Sequence, residues 1–167
     1  RAALSWQLHP RHRLALAAGI HSKPEHLTTY FLEDRSVDAP AEFPNRDLDL
    51  PRAFHAVLGY DYAFAADCRI KTELYWQELW NVPVSADPDR TFSIINTSDV
   101  WDISGDPTMV ADGVGRNYGV DLTLEKAFSR QYYFLLTGSL YRSQYTPLND
   151  DFYPSKFDVR YNLTVQG

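Results

Sequence analysis

Between residues 117 and 125 the side chains alternate. Tyr118, Val120, Leu122 and Leu124 are apolar, whereas Asn117, Gly119, Asp121, Thr123 and Glu125 are polar or small. A period of two is the spacing at which side chains share one face of a strand, so this segment predicts a strand with one apolar and one polar face. The same split sets Leu14, Leu16, Ala18 and Ile20 against Arg13, Ala15, Gly19 and His21. It sets Phe54, Ala56, Leu58, Tyr60 and Tyr62 against His55, Val57, Gly59 and Asp61. Ile70, Leu74, Trp76 and Trp80 oppose Lys71, Glu73, Tyr75 and Gln77, with Glu78 interrupting the apolar row. Near the end, Val159, Tyr161, Leu163 and Val165 oppose Asp158, Arg160, Asn162 and Thr164, and Leu4, Trp6 and Leu8 form a further row at the start. Residues 132–145 begin apolar on both faces, with Phe134, Leu136 and Leu140 on one side and Tyr133, Leu135 and Tyr141 on the other. No segment repeats apolar residues at i, i+3, i+4 and i+7 over three turns, so the pattern predicts an all-β fold of about seven strands.

The connections between these strands are unequal. Residues 10–12, 65–68 and 128–131 make tight turns, residues 23–49 and 86–114 make long loops, and residues 146–156 make an intermediate one. Short and long alternate. In an antiparallel up-and-down meander this gathers the tight turns at one end and the long loops at the other, the layout of outer-membrane barrels. Loops longer than ~15 residues are uncommon in compact domains, and two on one edge call for a functional reason. On this layout Leu14, Leu16, Leu58, Leu122 and Leu124 share the lipid-side face. Trp76 and Trp80 lie toward the long-loop end of their strand, and Tyr60, Tyr62 and Phe64 toward the tight-turn end of theirs, as two interfacial girdles would. Alternation by itself fits a second architecture, a soluble barrel or sandwich whose apolar face points inward, with the rings capping its core.

Composition narrows the classes. The chain has 167 residues, a length that normally holds one domain, and 44% hydrophobic with 23% charged residues excludes disorder. A net charge of −6 and a pI near 5.2 argue against nucleic acid as a partner, which needs clustered Lys and Arg. Aromatics reach 14%, rich in amphipathic Tyr and Trp. One cysteine, Cys68, forms no internal disulfide and reads as a free thiol beside a turn. The longest uncharged apolar run after the opening segment, residues 131–141, falls short of the ~20 residues of a membrane-spanning helix. Residues 1–18 alternate polar with apolar and carry His9, Arg11, His12 and Arg13, which is no signal peptide, so Arg1 reads as an internal position of a longer chain.

Candidate chemistry adds little. His9, His12, His21, His26 and His55 lack the H-x-x-x-H spacing of helical metal ligands. Asn45, Asp47 and Asp49 form an oxygen comb like the start of a calcium loop, without its glycine and distal glutamate, and read as a solvated loop. Gly113, Gly115 and Gly119 lead into a strand, which offers no helix N-terminus to a phosphate, and read as turn flexibility. Ser139 and Ser143 lack the Gly-x-Ser-x-Gly elbow of a hydrolase nucleophile. The expectation is a protein that is not an enzyme, with no catalytic, cofactor-binding or metal residues and no cofactor.

Residues 113–126, GVGRNYGVDLTLEK, followed by AFSRQYYFLLTGSLYRSQY at 127–145, resemble TonB-dependent outer-membrane receptors of the Bacteroidetes type. In that family an NYG-(V/I)-(D/E)-L-T-L-E-K strand precedes a short turn and a YYFLLTGSLY strand. WQLHPRH at 6–12, GIHSKPE at 19–25, AVLGYDYAF at 56–64 and LYWQELWNVPV at 74–84 look like further strands of the same barrel. The likeness spans nearly the whole chain. It departs from the family after Tyr161, where the family runs on through further strands and this chain stops at Gly167. The resemblance implies that residues 1–167 are a partial TonB-dependent receptor β-barrel domain without its plug. It implies a parent barrel of about 22 strands in the bacterial outer membrane. The parent's partners would be outer-membrane lipid, the plug and remaining strands, and TonB through an N-terminal segment outside this chain. The implied function is a part of the barrel wall of a receptor for active nutrient uptake, its substrate unnamed. The alternative is a self-contained soluble β-barrel or sandwich holding a small apolar ligand.

Overall fold

The computed structural model describes residues 1–33, 43–97, 103, 108–149 and 151–167. The parts of the two long loops and of the intermediate one that fall at 34–42, 98–102, 104–107 and 150 lie outside the described residues. One antiparallel sheet is built from β1 (Ala2–His9), β2 (His12–Ser22), β3 (Arg52–Tyr62), β4 (Cys68–Ser85), β5 (Met109–Ser129) and β6 (Tyr132–Thr146), paired in chain order. Two further strands pair with β6 at different heights: the two-residue β7 (Tyr153–Pro154) beside Gln144 and Tyr145, and β8 (Tyr161–Gln166) beside Leu135–Leu140. The result is an up-and-down meander of seven strands with β7 as a short patch. Two helical turns, α1 (Leu27–Tyr30) and a 3-10 turn at Ile94–Asn96, lie in the long connections.

The period-two pattern becomes rows across the sheet. Leu4, Leu16, Leu58, Leu74, Val120, Leu140 and Tyr161 stand on one rung through all seven strands. The neighbouring rung, on the opposite face, reads Ser5, Ala15, Gly59, Glu73, Asp121, Ser139 and Asn162. Register pairing and strand parity put Leu14, Leu16, Leu58, Leu122 and Leu124 on the same apolar face, as the alternation predicts. Among the described residues no second layer covers that face: Leu74 is 51% exposed and Leu140 62%. Nor, among the described residues, does the sheet close: β1 pairs only with β2 and β8 only with β6.

The core sits at the long-loop end of the sheet, where Val82 of β4 and Met109 of β5 cluster with Ile94 and Ile103 of the second long loop. Four connection bounds differ from the sequence pattern at this end, the first being that of the first long loop, which runs to Pro51 and not to 49 because β3 starts at Arg52. Strand β4 runs on to Ser85 and β5 starts at Met109, so the second long loop spans 86–108 and not 86–114. Register shifts between Leu79, Val82 and Val84 break the parity, and Val82, Pro83, Val84 and Ser85 are buried in succession, which erases any period of two. Asn81 adopts a left-handed φ of 55° at the shift. The last connection runs 147–160 and not 146–156: Arg160, at φ 72°, turns the chain into β8, leaving Val159 outside the strand.

The glycines at 113, 115 and 119 also correct the sequence expectation. All three lie inside β5, and no described glycine has a positive φ, so turn flexibility is not their role. They are places of close approach. A Cβ on Gly113 would stand 2.7 Å from the Val82 carbonyl oxygen, and one on Gly119 would meet Leu140 and Tyr141.

Candidate functional site

The polar face carries the first candidate surface. Arg13, Asp61 and Lys71 share a rung, with Arg69 and Glu125 paired on the next rung of that face. Arg69 bonds Glu125 at 2.7 Å and stands 3.9 Å from Asp61, and Lys71 holds Glu73 at 2.8 Å. Small side chains at Ala3, Ala15, Ala17 and Gly59 leave a hollow of about 450 Å³ among these charges. Toward the long loops the face turns neutral. The rings of His21 and His55 stack at 4.5 Å, His55 Nε2 meets Gln77 Nε2 at 2.7 Å, and Asn117 Nδ2 donates to Gln77 Oε1 at 2.7 Å. Ser143, next on that rung, bonds Ser155 at 2.7 Å. Such a surface offers alternating charges and amides to a polar solute.

The second candidate is the long-loop platform. Leu32 and Leu48 from the first long loop and Phe92 and Ile95 from the second pack on the core cluster. Asn45 is fully buried, and its Oδ1 accepts the Met109 N–H at 2.8 Å. This corrects the solvated-loop reading of 45–49 for Asn45, while Asp47 and Asp49 are exposed. Side-chain bonds of this kind fasten a loop where few backbone partners exist. Tyr145 adds another by donating to the Thr91 carbonyl at 2.9 Å. Glu25, half-buried in the first long loop, has its carboxyl pushed up by burial, partly offset by Lys23.

The two margins of the apolar face carry polar groups. At the long-loop margin Glu78 does break the apolar row, and it does so opposite Arg116 on β5, which it meets at 3.2 Å. The Arg116 guanidinium lies 5.3 Å from the Trp76 ring and 4.6 Å from the Phe152 ring, and Trp76 stacks on Tyr118 at 5.4 Å. At the tight-turn margin His12 stacks on Tyr62 at 4.4 Å, Tyr62 in turn meets Phe64 at 6.2 Å, and His12 Nδ1 meets the Tyr60 hydroxyl at 2.8 Å.

Lys126 escaped the sequence reading and is the buried knot of the tight-turn end, 5% exposed. Its ammonium stands 3.2 Å from Asp67 of the preceding turn, donates to Ser129 Oγ at 2.7 Å and lies 4.0 Å from the Tyr132 ring. Ser129 and Lys126 together hold the Asp67 carboxyl well below the usual carboxylate range. Two neighbouring turns are thereby pinned to each other. A signal existed in the sequence: Lys126 follows Leu122 and Leu124 on the apolar parity.

The sequence named no site residues. The structure pairs His9 with His12, ring centroids 5.5 Å apart, and His21 with His55, while His26 caps α1. Among the described residues no three His, Cys, Asp or Glu side chains converge as metal ligands do. Cys68 is a free thiol beside a turn, as expected.

Comparison with known proteins supplies the fold. No protein-family model matches the chain, and no curated protein does. Among solved structures the chain is similar to the ferric yersiniabactin uptake receptor FyuA from Yersinia pestis, with a TM-score of 0.58 and 15% sequence identity. The match covers 96% of this chain and 21% of that one, so the chain spans about a fifth of that receptor's length. That neighbour is an outer-membrane barrel, and at this identity the likeness is one of fold: an antiparallel meander of barrel type.

Proposed function

We propose that residues 1–167 are part of the barrel wall of a TonB-dependent outer-membrane receptor for active nutrient uptake. The carrying observation is the unbroken apolar rung from Leu4 to Tyr161, which nothing among the described residues covers. A soluble domain hides such a row in its core, whereas a membrane barrel turns it to hydrocarbon. From Ile70 to Glu78 the strand advances eight residues, about 26 Å at ~3.3 Å per residue. With a strand tilt near 40° this projects to about 20 Å, of the order of the ~25 Å apolar band of outer-membrane barrels. Aromatic rings stand at both margins, as interfacial girdles do.

In this reading the polar face lines the lumen, and the platform over 23–51 and 86–108 faces the cell exterior. The open edges of β1 and β8 pair with further strands of a longer chain, since unpaired edges left in a membrane are costly. Plug, lipid and TonB are the partners, TonB being met by a segment outside these residues. The fold neighbour, itself an uptake receptor, supports the same assignment.

A nitroxide placed in turn at positions 122 and 121 tests the reading in vesicles. At 122 it should relax with dissolved oxygen and not with a water-soluble nickel chelate, and at 121 the preference should invert. Equal response to both agents at 122 would return the apolar face to a soluble core.

A further inference from the structure

The neutral rung of the polar face is a chain of hydrogen bonds with a direction. His55, Gln77, Asn117 and Ser143 stand opposite one another on β3, β4, β5 and β6. Asn117 Nδ2 donates to Gln77 Oε1 at 2.7 Å, which turns the Gln77 amide nitrogen to His55, where it meets Nε2 at 2.7 Å. An amide nitrogen donates and has no lone pair to accept with. His55 Nε2 is therefore the acceptor, and the neutral ring carries its proton on Nδ1. Asn117 and Gln77 both turn an N–H toward His55.

A second arrangement of the same atoms is equally complete. Turning the Gln77 amide over presents its oxygen to His55 and its nitrogen to Asn117, and turning the Asn117 amide over meets that nitrogen with Oδ1. The oxygen and nitrogen of a carboxamide are nearly the same size, so neither turn moves the backbone. The rung then runs the other way, with Asn117 Nδ2 directed toward β6, where Ser143 Oγ bonds Ser155 Oγ at 2.7 Å. Protonation decides between the two. A charged imidazole has a proton on both nitrogens and cannot accept from Gln77, so the first arrangement sets donor against donor and the second satisfies every group.

The surroundings of His55 are simple. From β2 the titratable group against it is His21, stacked at 4.5 Å, and from the head of β1 the charged group is Arg1, beside Gly19. From β4 come Gln77 and, on its diagonals, Tyr75 and Leu79. A hollow of about 450 Å³ among Arg1, Ala17, Gly19, His21 and Val57 lies beside the ring and gives water a route to it.

We infer that the His55–Gln77–Asn117 rung is a proton-operated switch. One proton taken from water by His55 Nε2 reverses both amides. What Asn117 presents toward Ser143 and the connection 147–160 changes from a carbonyl oxygen to an N–H. A polar solute on that part of the face meets an acceptor when the imidazole is neutral and a donor when it is charged. The switch works the same way whether the apolar face meets lipid or a core, so its test leaves the barrel-wall reading untouched.

Nitrogen-15 NMR of protein labelled at histidine and asparagine side chains reads both ends of the rung, with signals assigned from His55→Phe and Asn117→Ser. At ~pH 8 the His55 Nδ1 should carry a proton and Nε2 should not. As the pH falls to ~5 both should carry one, and the Asn117 amide should shift with the same midpoint. Gln77→Glu keeps the side chain's size and removes its donors, so both neighbours donate to it throughout. In that variant Nε2 should already be protonated at ~pH 8, and the Asn117 amide should cease to follow His55. A proton on Nε2 at ~pH 8 in the unsubstituted protein overturns the inference, because the rung would already run the other way. An Asn117 amide that stays still while His55 titrates, or that keeps its shift in His55→Phe, overturns it as well.

Discussion

Leu140→Arg separates a membrane wall from a soluble sheet more sharply than any buried substitution. Leu140 stands on the central rung, between Val120 on β5 and Tyr161 on β8, and is 62% exposed. In water a side chain so exposed is replaced at a cost within about 0.5 kcal/mol. In a bilayer the same change puts a guanidinium near the midplane, which costs about 2–4 kcal/mol, or roughly 30- to 700-fold in the folding equilibrium. The penalty should fall with distance from the midplane. Leu136 lies four residues toward the tight turns, about 13 Å along the strand, and Leu136→Arg should cost no more than about 1 kcal/mol. Ser139→Arg is the control for the opposite face: it would stand across from Asp121, an opposite-charge pair, and should be neutral or slightly stabilising. Urea-dependent unfolding from phosphatidylcholine vesicles, followed by tryptophan fluorescence, reads all three. A Leu140→Arg protein within about 0.5 kcal/mol of the parent, or equal penalties at 136 and 140, would refute the argument.

The turns and close approaches supply further tests. Asp67 titrates lower in the folded protein than in the unfolded chain, so its tie to Lys126 and Ser129 stabilises fully above the unfolded carboxylate range near pH 4 and weakens as pH falls below it. The stability gap between the parent and Asp67→Asn, measured by urea unfolding, should therefore be constant near neutrality and shrink below about pH 4. Lys126→Met should free the 67 and 129 turns together, seen as new protease cleavage at both in detergent. Arg130 and Gln131 both hold left-handed φ in a two-residue hairpin, at 50° and 73°, so Gln131→Gly should raise stability by roughly 0.5–1 kcal/mol in the same unfolding assay. Gly113→Val should cost about 1–3 kcal/mol or more, because the added atoms run into Val84 and the Val82 carbonyl.

Strand identity, face and the order of tight and long connections were legible from the sequence because each rests on a local rule. Neighbouring residues on a strand point to opposite sides, so Leu14, Leu58 and Leu122 declare a common face without any knowledge of their partners. What lay outside that rule was decided by tertiary structure. Residues 82–85 are all buried, Val82 in the cluster with Ile94, Ile103 and Met109 and Val84 bridged to Ser93 of the second long loop, so their pattern has no period to read. Gly113 and Gly119 look like turn residues until the neighbouring strand shows that a Cβ has no room there. Lys126 and Asp67 lie 59 positions apart, and Asp158 holds Arg142 from the far side of a loop. The sequence by itself determined which side of each strand is greasy. Only the register across strands decided which charges meet, because a hydrogen-bonded ladder brings together residues whose separation in the chain carries no local signature.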